Sequence, residues 1–460
     1  METLNKEQQL IFNKYENGEN VFMTGPGGAG KSHLIKCIVN DAEKKNALSD
    51  ETNKKTVQVC ALTGCASILL NCKATTLHRF AGIGLANKPI KEVIAELFKK
   101  KYKLKNWYHI KALIIDEISM MSLKILLILD KIARLIYRKP KLPFGGLQVI
   151  FSGDFYQLPP INSIDEEIEA SMFCFEHEIW NEIFPPENQI VLKTIFRQEE
   201  KEFLKVLKYV RRGVITNSTK AILENRVCTK EELEKVRLEK VVTILFPYKK
   251  DAISLNLKSY AELGDVEKRT YKIKYIENTK KDPLDKVLED FNDLSFDNIN
   301  SSLKPEYEFM ANNIMAEQIL ELKIGTHVMC VANIALNCDN QIANGSQGIV
   351  VGFKNILPIV KFNTIKDPIC VNYYTWPSET NKNIAVAQIP LIYAWAITIH
   401  KSQGVSLDAV IMDIGRNIFE YGQSYVALSR VRTLGGLYLS SFDFTKISAN
   451  PKVIKFYGDQ

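Results

Sequence analysis

The sequence contains no C-x-x-C pair, and no apolar run reaches the roughly 18 residues that a membrane-spanning helix needs. Its nine cysteines are an odd number without metal-site spacing, which argues against both a disulfide framework and a zinc module. The thiols are therefore read as reduced and the compartment as intracellular, with nucleus, cytoplasm and a viral replication site all compatible. The opening stretch, METLNKEQQL, is too polar for a secretory leader, and no internal repeat is visible. Neither sign of charge dominates: 60 Lys and Arg face 53 Asp and Glu, a net +7 that is compatible with a nucleic-acid partner without requiring one.

What is present is an alternation of apolar runs and amphipathic stretches. With 460 residues, of which 46% are hydrophobic and 25% charged, the chain is long enough for several cores. NVFMT, VQVCAL, ALIID and LQVIFSG read as strands, and 31–45 and 122–137 as helices, the signature of an α/β fold. Residues 231–240 read as an exposed charged helix. Residues 265–310, rich in Lys, Asp and Asn, read as a surface insertion. From 322 onward short strands separated by Gly and Asn suggest a small β-barrel, and from 389 the α/β pattern returns.

Three motifs carry chemistry. GPGGAGKS fits G-x-x-x-x-G-K-[ST] and stands between a strand and a helix. Gly25, Pro26, Gly27, Gly28, Ala29 and Gly30 form a loop whose N–H groups can turn inward on phosphate oxygens. Lys31 would neutralise the β- and γ-phosphates, and the Ser32 hydroxyl would ligate magnesium. In ALIIDEIS, Asp116 and Glu117 end an apolar strand, where Asp116 can hold magnesium through water and Glu117 can polarise an attacking water. In GDFYQLPP, Gln157 offers an amide to the γ-phosphate.

With these residues in hand, the chain resembles the petite-integration-frequency (PIF-type) DNA helicases, relatives of RecD in group B of superfamily one. LNKEQ is similar to the family's Q motif, with Gln8 reading the adenine edge. LTGCAS and TTLHRFAGIG resemble its DNA-contacting motifs, FGGLQVIFSGDFYQLPP its signature stretch, and TIFRQ, AWAITIHKSQGVSLD and YVALSRVRT those of the second motor domain. One departure is Thr63-Gly64-Cys65-Ala66-Ser67, where the family usually carries two adjacent alanines.

The resemblance implies an α/β architecture of two RecA-like P-loop domains with a small all-β (SH3-like) insertion in the second. The expected division is 1–193 for the first motor domain, with a wedge-like insertion near 77–110; 194–320 for the first part of the second, with the polar insertion; 321–388 for the β insertion; and 389–460 for the remainder. It implies that Arg197 and Arg430 reach the γ-phosphate from the second domain, and that Thr63, Thr76, His78, His400 and Ser406 contact DNA. FKKKYKLKNWYHIK, 98–111, mixes Lys with aromatics as a strand-tracking surface would, and reads equally as a solvated amphipathic face. The implied activity is ATP-dependent, magnesium-assisted 5′-to-3′ translocation and unwinding of single-stranded and forked DNA, for replication, repair or recombination. A monomer without membrane attachment is expected, with no nuclease or primase region ahead of the motor. Two alternatives stand beside this reading: a single-strand or RNA-acting translocase without productive unwinding, and an ATP-switched DNA-binding protein. A mononucleotide kinase has no use for the paired motifs after residue 385.

Overall fold

The computed structural model describes residues 4–48, 56–70, 72–84, 86–160, 168–277, 299–337, 340–342, 344–363, 365–378, 381, 383–415 and 417–458. Strands β1 (Val21–Thr24), β2 (Thr56–Ala61), β3 (Thr75–Thr76), β4 (Ile110–Asp116), β5 (Gln148–Gly153) and β6 (Gln189–Val191) form one parallel sheet in the order β3-β2-β4-β5-β1-β6. Every residue of β1 and β5 is buried, because both faces of the sheet are covered; this is why these strands are continuous apolar runs and not alternating ones. Helix α1 (Lys6–Glu16) starts at a capping box between Asn5 and Gln8, α2 (Lys31–Leu48) follows the glycine loop, and α3 (Leu123–Tyr137) starts at Ser122, whose hydroxyl accepts from the Ile125 N–H. Helix α3 buries Leu126, Ile128, Leu129, Ile132 and Ala133 completely, the amphipathic face its sequence spacing implies.

After helix α4 (Lys201–Arg211), a second parallel sheet forms from β7 (Thr243–Phe246), β8 (Ala396–Thr398), β9 (Val410–Ile414) and β10 (Leu437–Phe442), in the order β8-β7-β9-β10. Between β7 and β8 the chain is largely all-β. Its largest sheet pairs strands Ile369–Cys370, Leu357–Phe362, Gln347–Lys354, His327–Cys330 and Leu391–Tyr393 antiparallel. Residues 278–298, within the expected surface insertion, lie outside the described residues, but the flank before them forms strands. Lys268–Lys272 pairs with Ile319–Lys323, and Lys274–Glu277 adds an edge to Ile384–Gln388. The average polarity of this stretch conceals isolated core residues: Tyr271, Ile299 and Tyr307 are all buried.

The other departure concerns the C-terminal segment. Helix α5 (Gln423–Leu428) belongs with the second sheet, but α6 (Pro451–Gly458) crosses back to the first domain. There Phe456 stacks on Phe175 at 4.3 Å and meets Phe155 and Trp180 edge-on, completing an aromatic cluster around Phe22 of β1. The aromatic face of α6 has this cluster as its partner, which is why the helix leaves the sheet that precedes it.

The two sheets are tied by a charge pair. Arg211, at the end of α4, donates from Nε and Nη2 to both carboxylate oxygens of Asp154, at 2.9 and 2.8 Å, and Asp154 is fully buried. The guanidinium also lies over the Tyr156 ring, 4.6 Å from its centre. Arg211→Met should leave the Asp154 charge buried without its partner and cost roughly 3–5 kcal/mol. Urea unfolding of the variant checks this, and adding Asp154→Asn should recover part of the loss.

Candidate functional site

The first sheet places its three motifs side by side. β4, β5 and β1 are neighbours, and each delivers one motif at its carboxyl end: Asp116 and Glu117, Asp154 to Gln157, and the glycine loop. They open on a cleft of about 420 Å³ lined by Gly27, Gly28, Ala29, Gly30, Lys31, Ser32, Glu117 and Gln157 from this side, and by Arg197, Ser406 and Arg430 from the second. The loop needs its glycines for two reasons at once. At Gly28, φ is +84°, and a Cβ would come within 2.5 Å of the Arg197 Cβ.

Lys31 Nζ donates to the carbonyls of Gly25 at 2.7 Å and Pro26 at 3.1 Å, so its ammonium is folded over the loop it serves. Burial pushes its pKa down, and the carboxylates of Asp154, Glu117 and Asp116 pull it back up. Asp116 accepts from Ser152 Oγ at 2.6 Å; burial raises its pKa, and that hydrogen bond opposes the rise. Burial, reinforced by the neighbouring Asp116 charge, pushes the Glu117 carboxyl up as well. Glu117 itself is in the left-handed region, φ 56°, which turns its side chain out of the strand and into the cleft wall.

Arg197 and Arg430 both converge on Gly27: a Cβ there would lie 3.4 Å from Arg430 Nη2 and 3.6 Å from Arg197 Nη1. Arg430 is 2% exposed, and burial together with the Arg197 charge lowers its pKa to about 9. Its Nε donates to the Val426 carbonyl at 2.9 Å and its Nη2 to Ser429 Oγ at 2.7 Å. The buried Arg430 guanidinium and the half-buried Arg197 one, beside a ring of N–H groups, give a cleft of high positive potential suited to an anion.

Gln8 stands at the loop's edge, its Nε2 2.7 Å from where a Gly30 Cβ would be, while its Oε1 accepts from the Asn5 N–H in the capping box. Magnesium fits the oxygen donors present: the Ser32 hydroxyl at the solvent-open start of α2 and the Asp116 carboxylate, whose Oδ1 already bonds Ser152. Among the described residues no group of three or more His, Cys, Asp or Glu forms a metal cage, which suits an ion whose remaining ligands come from nucleotide phosphates and water.

The expected strand contacts do not gather in this cleft, with one exception. Ser406 lines it beside Gly404, on the second-domain wall. Thr63 Oγ1 accepts from the Ala66 N–H at the start of a short helix, and the Cys65 side chain lies outside the described residues. Thr76 ends β3, His78 sits in the helix that follows with its pKa lowered by burial, and His400 is exposed just beyond β8. Beside Thr76, a cavity of about 130 Å³ is lined by Ser67, Thr75, Arg79, Tyr374 and Trp376, between the first domain and the β region. In 98–111 the two readings divide by residue: Trp107 is core, packed on Phe80 at 4.9 Å, while Tyr102 and Tyr108 are 73% and 53% exposed.

Four residues of the site were not singled out from the sequence, although each lies inside a quoted motif. Gln403 donates from Nε2 to Glu117 Oε2 at 2.9 Å across the domain boundary. Gln198 donates to the carbonyls of Ser429 and Val431 at 3.1 and 3.0 Å, bracketing Arg430. The Tyr425 hydroxyl accepts from the Gly27 N–H at 2.9 Å. Phe196, 57% exposed, presents its ring beside Gly30 and Gln8.

With a nucleoside triphosphate in the cleft, Arg430 beside Gly27 would face charge that builds during phosphoryl transfer, and Lys31 charge that is already present. Arg430→Ala should therefore keep most nucleotide affinity and lose roughly 10³–10⁵ in turnover, whereas Lys31→Ala should weaken the nucleotide complex itself. Nucleotide titration and steady-state ATPase on both variants, with folding followed by thermal melting, make the comparison.

Comparison with known proteins gives concordant matches. The family described as PIF1-like helicase matches residues 3–221, and that described as DNA helicase Pif1, 2B domain, matches 308–353. The rat protein named ATP-dependent DNA helicase PIF1 is 32% identical over 463 residues, covering 99% of this chain and 64% of its own length. The chain thus spans less than two thirds of that relative. Among solved structures, Bacteroides Pif1 in complex with ADP-AlF4 aligns with a TM-score of 0.75 at 27% identity, over 100% of this chain and 97% of that one. A structure described as two coordinating Pif1 helicases unwinding forked duplex DNA aligns with a TM-score of 0.59 at 28% identity, over 99% and 97%.

Proposed function

We propose that the chain is a PIF1-like helicase, the family whose model matches residues 3–221, and that it hydrolyses ATP with magnesium and uses the cycle to translocate 5′ to 3′ on single-stranded DNA and unwind forked duplex. The observation that carries this reading is the convergence of Arg197 and Arg430, from the second domain, on Gly27 of the first. Their charge is compensated only when an anion enters the cleft, so nucleotide binding favours a closed arrangement and loss of the γ-phosphate relaxes it. In that state Lys31 and the loop N–H groups hold the phosphates, and Ser32 and Asp116 would hold magnesium, which supplies charge neutralisation at the phosphoryl group. Glu117, oriented by Gln403, takes the proton of the attacking water, and Gln157 and the two arginines meet the γ-phosphate.

The strand is assigned to Thr63, Thr76, His78 and His400, with the cavity beside Arg79 and Trp376 as part of its course. Alternate opening and closing shifts the second-domain contact, His400, relative to the first-domain contacts. Replication, repair or recombination in a reducing intracellular compartment is the setting we infer. The described cysteines are all free, and no helix among the described residues is long and apolar enough to cross a membrane. The sequence favours a monomer; since a relative is described as acting in two coordinating copies at a fork, copy number is to be counted on forked and on single-stranded DNA separately.

ATPase activity should rise on adding single-stranded DNA, and a 5′-tailed duplex should be unwound while a 3′-tailed one is spared. The opposite polarity would remove the group B assignment. Stimulated hydrolysis with neither duplex opened would favour the translocase reading.

A further inference from the structure

The glycine loop is held at both ends by tyrosines that the motif chemistry does not use. At its root, Thr24 Oγ1 lies 2.6 Å from the Tyr457 hydroxyl of α6, which also accepts from the Phe155 N–H at 3.3 Å. Near its tip, the Gly27 N–H donates to the Tyr425 hydroxyl of α5 at 2.9 Å. Thr24 is fully buried and Tyr425 is 2% exposed, so each of these bonds is formed away from competing water.

The surroundings make the two contacts one assembly. The Tyr457 ring stacks on Tyr156 at 4.9 Å with a 14° interplanar angle, and Arg211 lies over both rings while binding Asp154. Burial, with the Asp154 charge adding to it, pushes both phenols up, Tyr425 to about 12, so both remain neutral hydroxyls. Gly422, the residue before α5, has φ +72°, and a Cβ there would sit 2.4 Å from the Tyr156 carbonyl oxygen and 2.8 Å from that of Gln157. The start of α5 is therefore pressed on the backbone that presents Gln157, and α5 leads directly into Ser429 and Arg430.

We propose that Tyr457 and Tyr425 are positioning residues for ATP turnover, fixing the loop's root and tip against the segment that carries Arg430. The loop is then not a free-standing cradle that the second domain approaches; its register relative to the arginine is set through two hydroxyls. Tyr457 acts from α6, 27 residues beyond Arg430 in the chain (position 457 against 430). This inference rests on the ATPase reading given above.

The test uses the full chain with Tyr457→Phe, Tyr425→Phe, Thr24→Val and the double variant Thr24→Val/Tyr457→Phe. The two phenylalanine variants keep the ring and remove only the hydroxyl. Hydrogen exchange of the peptide spanning 22–31 reads the grip without reference to catalysis, and each phenylalanine variant should exchange there roughly fivefold faster, as loss of one hydrogen bond implies. Steady-state ATPase with single-stranded DNA should show kcat lowered about tenfold or more with KM for ATP within about threefold, the split expected when alignment and not ground-state binding is lost. The double variant should be no worse than Tyr457→Phe, because Thr24→Val removes a bond that the loss of the Tyr457 hydroxyl has already removed.

Unchanged exchange at 22–31, or turnover of Tyr457→Phe within about twofold of the parent, would overturn the proposal. So would a double variant whose losses multiply, or a fall in melting temperature with exchange raised equally across the first domain, since either makes Tyr457 a packing residue. A parent that hydrolyses ATP without response to DNA would count against the helicase reading alone, because exchange and basal turnover still report the grip.

Discussion

Two like charges held together in a buried site repel, and the arrangement persists only if the surrounding fold outweighs that repulsion. Arg197 and Arg430 are such a pair, and much of the molecule is arranged to hold them. Gln198 fixes the backbone on both sides of Arg430, Ser429 and Val426 occupy its donors, and Glu117 supplies the nearest compensating charge. None of these gives a full ion pair, so positive potential is left directed at the loop N–H groups. The Asp154–Arg211 pair beside it is the opposite case, charge fully matched by charge, and it serves as the fixed point against which the unmatched pair is held.

The division between matched and unmatched charge also explains how one cleft can be both stable and responsive. A salt bridge with bidentate geometry and stacked rings has a single favourable arrangement. An arginine pair short of anions has two, one with nucleotide and one without, whose relative weight follows the occupant. The matched pair stands at the end of β5, and the unmatched pair faces the loop that follows the adjacent strand β1, so that motion at one is referred to immobility at the other.

Much of the first domain could be read from the sequence because its strands are buried on both faces and therefore appear as apolar runs; β1 and β5 lie within the runs named from the sequence, and β4 begins two residues before its run, at Ile110. The glycine loop and the acidic strand end were legible because phosphate chemistry restricts residue type and spacing together. Gln403 and Tyr425 were not, because a single Gln or Tyr inside a motif has many ordinary uses and only the fold shows which backbone or carboxylate it meets. Ser406 illustrates the converse: its motif was recognised, but that it lines the cleft depends on the turn after β8. In the polar stretch around 265–310, average composition hides single buried tyrosines such as Tyr271 and Tyr307, and the partner of the helix Pro451–Gly458 is visible only in the fold.

The return of α6 to the first domain has a consequence for how the protein is made. β6, the last strand of the first sheet, ends at Val191, but the aromatic cluster beneath that sheet is closed by Phe456. A ribosome adding about 5–20 residues per second leaves that cluster open for roughly 15–50 s after the sheet itself has emerged. During that interval Phe175 and Trp180 lack one of their ring partners and Thr24 lacks the hydroxyl at the root of the loop. A nascent chain therefore carries a recognisable glycine loop long before it carries a finished one, and a helix made long after β6 completes the first domain to be started.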